Sequence, residues 1–286
     1  MGAQIGMHCA VYGYSVSVFS RSEKTLQAAA QSHARELQGR VDNRQLTPEE
    51  QENILGRIQF TTDMKQAVAK ADLVIENVPE DLRIKREVFA RLDRLCPEHT
   101  ILATDSSSLR VSLIEDATRR PDKVLNMHFF QPVWQRTVLE LMGGTATTEE
   151  TLTRSVQFVR TIGSTPLVAQ KESTGFIFGR VWRAIKKECL RVVDEGVSSP
   201  EDVDRGWMIN LGYPIGPFGL MDMVGLDVVR DVEVVYYRES GAETDAPPKF
   251  LLEKIERGEL GIKTGKGFYT YPNPAFQSPD WLKGEL

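Results

Sequence analysis

Short, wholly apolar runs alternate with amphipathic stretches through the first 170 or so residues, and this alternation constrains the fold more than any other feature. Leu73-Val74-Ile75, Ile101-Leu102-Ala103 and Val124-Leu125-Asn126-Met127 read as strands of a parallel sheet, where both faces are covered and no polar side is needed. Tyr14 to Phe19 and Ile58-Gln59-Phe60 add two more strands. Helices are predicted between them. Ser22 to Gln38 carries Leu26, Ala30 and Leu37 on one face, with Ser22 as its N-cap. Pro48 opens a short helix, Met64 to Lys70 forms another, and Leu82 to Leu95 keeps helical spacing through Val88, Phe89, Leu92 and Leu95. Strands separated by helices imply an α/β, doubly wound, mostly parallel sheet. After Thr165-Pro166-Leu167 the alternation stops. Gly175 to Asp194 predicts one long helix, and the remainder is helical apart from turns. The boundary is therefore set at 168/169, with an α/β domain over 1–168 and an all-helical domain over 169–286.

The first segment fits a nucleotide-binding version of this architecture. Met1-Gly2-Ala3-Gln4-Ile5-Gly6 continues as a helix through Cys9 and Ala10 to Gly13, and a strand follows at once. A βαβ nucleotide fold needs a strand and a glycine-rich turn before such a helix, so that the backbone approaches the pyrophosphate and the helix N-terminus faces it. Gly2 suits the last glycine of G-x-G-x-x-G, although a glycine there also serves plain flexibility. The expectation is a Rossmann-type domain whose first strand and front of the turn lie upstream of Met1.

Composition excludes several classes. With 286 residues, a net charge of -5, 41% hydrophobic and 26% charged residues, the chain reads as an ordinary globular protein without a nucleic-acid-binding surface. Cys9, Cys96 and Cys189 are far apart and odd in number, which suggests neither a disulfide framework nor a metal site. No apolar run approaches the roughly 20 residues needed to span a bilayer, and the start lacks the pattern of a signal peptide. The expected location is cytoplasmic.

Four segments carry candidate chemistry. Asp105-Ser106-Ser107-Ser108-Leu109 follows an apolar strand, where α/β sheets bind ligands; helix capping by Ser107 or Ser108 is the plain alternative. His128-Phe129-Phe130-Gln131-Pro132 ends another strand, and Glu140 lies on the segment that returns. The two are symmetric about Trp134, the spacing of a chain that doubles back and pairs. A carboxylate on one imidazole nitrogen fixes the tautomer and leaves the other nitrogen to take a proton. In Lys171 to Arg180, Thr174 is placed to cap the long helix and Gly175 to allow close packing. Lys263-Thr264-Gly265-Lys266-Gly267-Phe268-Tyr269 is basic and glycine-rich, suited to an anionic ligand or to a solvated loop.

Together these segments resemble the short-chain L-3-hydroxyacyl-CoA dehydrogenases, including the 3-hydroxybutyryl-CoA dehydrogenases, over nearly the whole chain. The resemblance rests on Gly2, ENVPEDLRIK at 76–85, the serines at 106–108, HFFQPV at 128–133, Glu140, STGFIFGR at 173–180, GYPIGPFGLMDMVGLD at 212–227 and KTGKGFY at 263–269. It implies an NAD-binding N-terminal domain, a helical domain that forms a homodimer, and reversible oxidation of an acyl-CoA substrate to the 3-ketoacyl-CoA. His128 would be the general base, Glu140 its orienting partner, and Ser107 a donor to the substrate oxygen. Glu80, Lys85 and Lys263 match positions that line the cofactor site. The first strand of the family lies mid-sheet, so its neighbours would lack ladder partners without it.

Three departures bear on specificity. Gln131 stands for the asparagine of HFFNPV, and Gly179 for the asparagine of GFIxNR; both positions lie near substrate and nicotinamide in the family. Ser20-Arg21 stands where an Asp binds the adenosine ribose, a pair able to accept the 2′-phosphate of NADP. Two other readings remain: a dehydrogenase of a free hydroxy acid without CoA, and a non-catalytic dimeric scaffold with an incomplete cofactor site.

Overall fold

The structure, a computed structural model, describes residues 1–284 apart from the side chain of residue 239. The chain divides after Phe178 into two compact units. In the first, α1 (Gly2–Val11) leads to β1 (Val16–Phe19), α2 (Glu23–Asp42), α3 (Pro48–Gly56), β2 (Ile58–Thr61) and α4 (Met64–Val68). Then come β3 (Leu73–Glu76), α5 (Leu82–Leu95), β4 (Ile101–Thr104), β5 (Val124–Phe129), β6 (Val138–Gly143), α6 (Glu149–Thr161) and β7 (Thr165–Ala169). The strand and helix alternation is as the sequence predicts, and Ser22 caps α2 by accepting from Thr25 N at 3.3 Å.

The strands form two sheets. β1 and β2 pair in parallel, and β3-β4-β5-β6-β7 form the larger sheet, parallel except where β5 meets β6. Among the described residues β1 and β3 have no ladder to each other. The strand interiors are almost wholly apolar because helices cover them: Ile101, Leu102, Ala103, Leu125, Met127, Leu139 and Leu141 are all buried.

Helix α5 carries an informative exception. Its buried stripe is Lys85, Phe89 and Leu92, so a cation occupies the first turn of an apolar face. Lys85 is 1% exposed and bonds both oxygens of Glu76, the last residue of β3, at 3.0 and 3.1 Å. Glu76 in turn accepts from Thr104 Oγ1 at 2.8 Å and from the amide of Val78. A buried charge persists only when paired and hydrogen-bonded, and this one is both.

The second unit holds α7 (Phe178–Asp194, beginning at the division), α8 (Pro200–Leu211), α9 (Pro217–Val224), α10 (Leu226–Ser240), α11 (Lys249–Glu256) and α12 (Pro279–Leu282). The predicted start of α7 at Gly175 is corrected to Phe178. Gly175 and Phe176 have φ of 75° and 55°, a left-handed pair that cannot belong to a right-handed helix. Two buried aspartates hold the unit together. Asp204 accepts from Phe218 N, Gly219 N and Tyr269 Oη at 2.8–2.9 Å, capping the start of α9. Asp222 accepts from Phe268 N and Tyr269 N at 2.8 Å and from Tyr271 Oη at 3.1 Å. A side chain at Gly267 would run into Asp222, which accounts for the glycine inside the GKGFY segment.

Removing the Lys85 cation strands Glu76 in the core. Lys85→Met is expected to lower stability by about 3–5 kcal/mol, read as a fall in the urea midpoint of the first unit. A midpoint equal to wild type would mean that Glu76 is solvated without its partner.

Candidate active site

The polar groups of the first unit collect where the apolar strand runs stop. At the end of β5, His128 stands opposite Glu140 of β6 in the antiparallel register. The doubling back inferred from the symmetric spacing is thus what the backbone does. His128 Nδ1 lies 2.9 Å from Glu140 Oε2, and the glutamate is fully buried. With Nδ1 donating to the carboxylate, the imidazole is held in the tautomer whose Nε2 accepts. The ring lies between Phe176, stacked at 5.3 Å between centroids, and Phe130, tilted at 4.6 Å.

Glu140 does more than orient the histidine. Its Oε1 accepts from the amides of Ile177 at 3.0 Å and Phe178 at 2.6 Å. The left-handed turn at Gly175-Phe176 aims these two amides at the carboxylate and puts Phe176 on the imidazole. A non-glycine residue at positive φ stores strain, here held by the burial of Phe176 at 3% exposure. The predicted capping role of Thr174 therefore falls to Glu140.

The loop after β4 is organised by Ser106. Its buried hydroxyl accepts from Leu109 N at 2.8 Å and closes the turn; no helix begins here, so the cap expected of Ser107 or Ser108 is not formed. Ser106 also donates to Glu80, which accepts from Ser108 N at 3.2 Å and Ser108 Oγ at 2.8 Å. Burial works against the Glu80 charge, but these serines and Lys85 at 3.4 Å outweigh it and hold the carboxyl below its usual range. Ser107 is left exposed between them.

The remaining sequence-derived positions fall in separate places. Ser20 and Arg21 follow β1, with Ser20 Oγ accepting from Ser22 N at 3.3 Å. Gln131 donates to the sulfur of Met1 at 2.7 Å, so it sits by the start of α1. Lys85 is spent on Glu76 and Glu80. Gly179 and Lys263 belong to the second unit. Gly179 is half-buried in the first turn of α7 with open space where a side chain would stand, and Lys263 is ion-paired with Asp227 in the first turn of α10. Sequence reasoning assigned no role to Glu76, Asp105, Ser106 or Phe176. The one signal available for Glu76 was its place as the only charge ending an apolar strand.

The residues present suit a dinucleotide. Helix α1 begins at Gly2 with no side-chain cap and no acidic residue in its first turn, which leaves its amides for an anion. Beside it, Asn77 packs 3.5 Å from where a Gly2 side chain would begin, and its buried Oδ1 has no hydrogen-bond partner. A buried carbonyl oxygen without a donor is costly unless a ligand supplies one.

An α/β unit with ligand-facing strand ends, an open helix N-terminus and a His–Glu pair defines a nucleotide-dependent dehydrogenase. The comparisons give the family. Residues 1–173 match the model described as 3-hydroxyacyl-CoA dehydrogenase, NAD binding domain, and residues 175–271 match 3-hydroxyacyl-CoA dehydrogenase, C-terminal domain. The 3-hydroxybutyryl-CoA dehydrogenase of Mycobacterium tuberculosis is 34% identical over 272 residues, 95% of each protein. The crystal structure of (S)-3-hydroxybutyryl-CoA dehydrogenase from Ralstonia eutropha has a TM-score of 0.89 at 31% identity, covering 96% of both chains. A solved diketoreductase, described as acting on dicarbonyl compounds, has a TM-score of 0.82 at 32% identity over 94% of both chains. The chain belongs to the 3-hydroxyacyl-CoA dehydrogenase family. It is an NAD-dependent oxidoreductase acting on CH–OH groups. Among the described residues no helix is long and apolar enough to cross a membrane.

Proposed function

We propose that the protein oxidises an L-3-hydroxyacyl-CoA reversibly to the 3-ketoacyl-CoA, with His128 as general base. The observation that carries this reading is the buried Glu140 carboxylate on His128 Nδ1, which readies Nε2 for the hydroxyl proton. As the proton arrives, the imidazolium is stabilised by the carboxylate 2.9 Å away. Phe130 and Phe176 pack against the imidazole and hold its ring plane. Ser107 is assigned to the substrate oxygen, and Gln131 to the acyl side. NAD, when bound, supplies the hydride acceptor. The groups assigned to hold it are the α1 amides from Gly2 onward, Ser20 and Arg21, and Glu80 as fixed by Lys85.

Ser20-Arg21 supports a second cofactor reading. A carboxylate at the end of β1 repels a 2′-phosphate, whereas Ser followed by Arg receives one, so NADP is accepted beside NAD. The diketoreductase neighbour keeps a second substrate class in view, a free hydroxy acid or ketone. Initial rates with acetoacetyl-CoA against free acetoacetate separate the two: the CoA ester is expected to be preferred, and equal rates would transfer the assignment.

The helical unit is assigned a homodimer contact. Val228, Val232 and Val235 are 37–43% exposed and recur at helical spacing on α10, joined by Met223 and Val224 of α9. An exposed apolar stripe of this size marks an interface.

Four variants test these assignments. Changing His128 to Gln is expected to lower kcat by about 10²–10⁴-fold while the Kd for cofactor stays near wild type. Glu140→Gln is expected to be slow and also less stable, since one end of its amide must face a donor, either Nδ1–H or the Ile177 and Phe178 amides. Wild-type kcat in both variants would remove the pair from catalysis. Ser20→Asp should weaken NADP far more than NAD in fluorescence titration, and an unchanged ratio would show that this strand end does not meet the ribose. Val232→Glu is expected to convert a dimer to a monomer by light scattering; a dimeric variant would place the contact elsewhere.

A further inference from the structure

The carboxyl of Asp105 is used by none of the assignments above, yet it reaches the strand that carries the base. Asp105 is the first residue past β4, and the β4–β5 ladder ends one residue earlier, at Thr104 opposite Asn126. From there a side chain continues the connection: Phe129 N, directly after His128, donates to Asp105 Oδ1 at 2.8 Å. The Asp105 amide meanwhile donates to Glu76 O at 2.9 Å. One residue therefore ties the ends of β3, β4 and β5 together.

We propose that Asp105 is a positioning residue for proton transfer, its carboxylate fastening the His128-bearing end of β5 to β4 and placing a second negative charge beside the imidazole. The proposal rests on His128 as the base. A neutral amide would accept the Phe129 bond equally well and without desolvating a charge, so the hydrogen bond alone does not call for a carboxyl. What the carboxyl adds is charge that acts on His128. Burial pushes Asp105 up to about 7, against the Phe129 amide, His128 and Lys85, all of which favour its charged form. The other charges facing this corner are Glu76, paired with Lys85, and Glu140, paired with His128. Asp105 thus gains its charge near neutral pH, where that charge acts on the neighbouring imidazole.

The sign follows. Hydroxyl oxidation needs neutral imidazole, and a nearby carboxylate favours imidazolium, so ionised Asp105 holds the acid limb of the rate profile at higher pH. The test compares Asp105→Asn, Asp105→Ala and His128→Gln in oxidation of 3-hydroxybutyryl-CoA by NAD, across about pH 5 to 9. Asp105→Asn keeps the acceptor for Phe129 and is expected to move the acid limb down by about half a pH unit or more. Asp105→Ala loses the acceptor and is expected to lower kcat about 10-fold relative to Asp105→Asn, with KM for NAD changed less than kcat. A slow His128→Gln together with a wild-type profile in Asp105→Asn would overturn the Asp105 charge alone. Equal kcat in Asp105→Asn and Asp105→Ala would overturn its positioning role. Full activity in His128→Gln would take down the base and this proposal together.

Discussion

The buried carboxylate of Glu140 is the contact on which the first unit's chemistry depends. It has no exposed surface, and one side chain serves a ring nitrogen and two main-chain amides. A lone buried carboxylate in a low-dielectric interior would take up a proton and lose its charge. Here the two amides supply the donors that the missing water would give, and the imidazole supplies a third. The arrangement couples three pieces of chain distant in sequence: the end of β5, the middle of β6, and the turn at 175–178. That coupling explains why the strained conformation of Phe176 persists. Relaxing it would withdraw both amides from Glu140 and the aromatic face from His128 in one movement.

The glycine-rich motifs late in the chain have a different explanation from the one their composition suggests. KTGKGFY looks like an anion-binding loop, but its Phe268 and Tyr269 amides are given to Asp222, and Lys263 is given to Asp227. GYPIGPFGLMD provides the amides that Asp204 caps, with Gly216 small enough to lie against that carboxylate. Burial pushes Asp204 up to about 6 while Phe218, Gly219 and Tyr269 pull the other way. Most of the distinctive spelling of the helical unit is thus accounted for by two buried aspartates and the close approaches they require.

How far the sequence discloses this depends on whether a signal is local. The strands at 73–76, 101–104 and 124–129 are legible because covering both faces of a sheet demands unbroken apolar runs, and the His128–Glu140 pairing is legible because antiparallel register follows from symmetric spacing about a turn. The late start of α7 is not legible: Gly175 to Arg180 reads as helix, and only the contact with Glu140, 37 residues from Ile177, explains the left-handed turn. Lys85 reads, by the resemblance, as a residue that lines the cofactor site, and only the structure shows Glu76 beneath it. Ser107 or Ser108 reads as a helix cap, yet no helix begins there: Ser106 closes the turn, and Asp105 is tied to a strand that begins nearly twenty residues further on.

One rule ties these cases together: chemistry is placed by where an apolar run ends. β3 ends in Glu76, β4 in Thr104 followed by Asp105, and β5 in His128 and Phe129, so each strand delivers its polar group to the same edge of the sheet. Because side chains alternate across a strand, the register of β5 against β6 decides which residue meets Glu140. Met127 and Phe129, on either side of His128, are buried apolar residues facing Leu141 and Leu139. A slip by one position would set a hydrophobic side chain against a fully buried carboxylate and strip it of its imidazole. The apolar residues that flank His128 therefore act in the site as well as in the core, since the energy that holds Met127, Leu139 and Leu141 out of water is also what holds the imidazole on its partner.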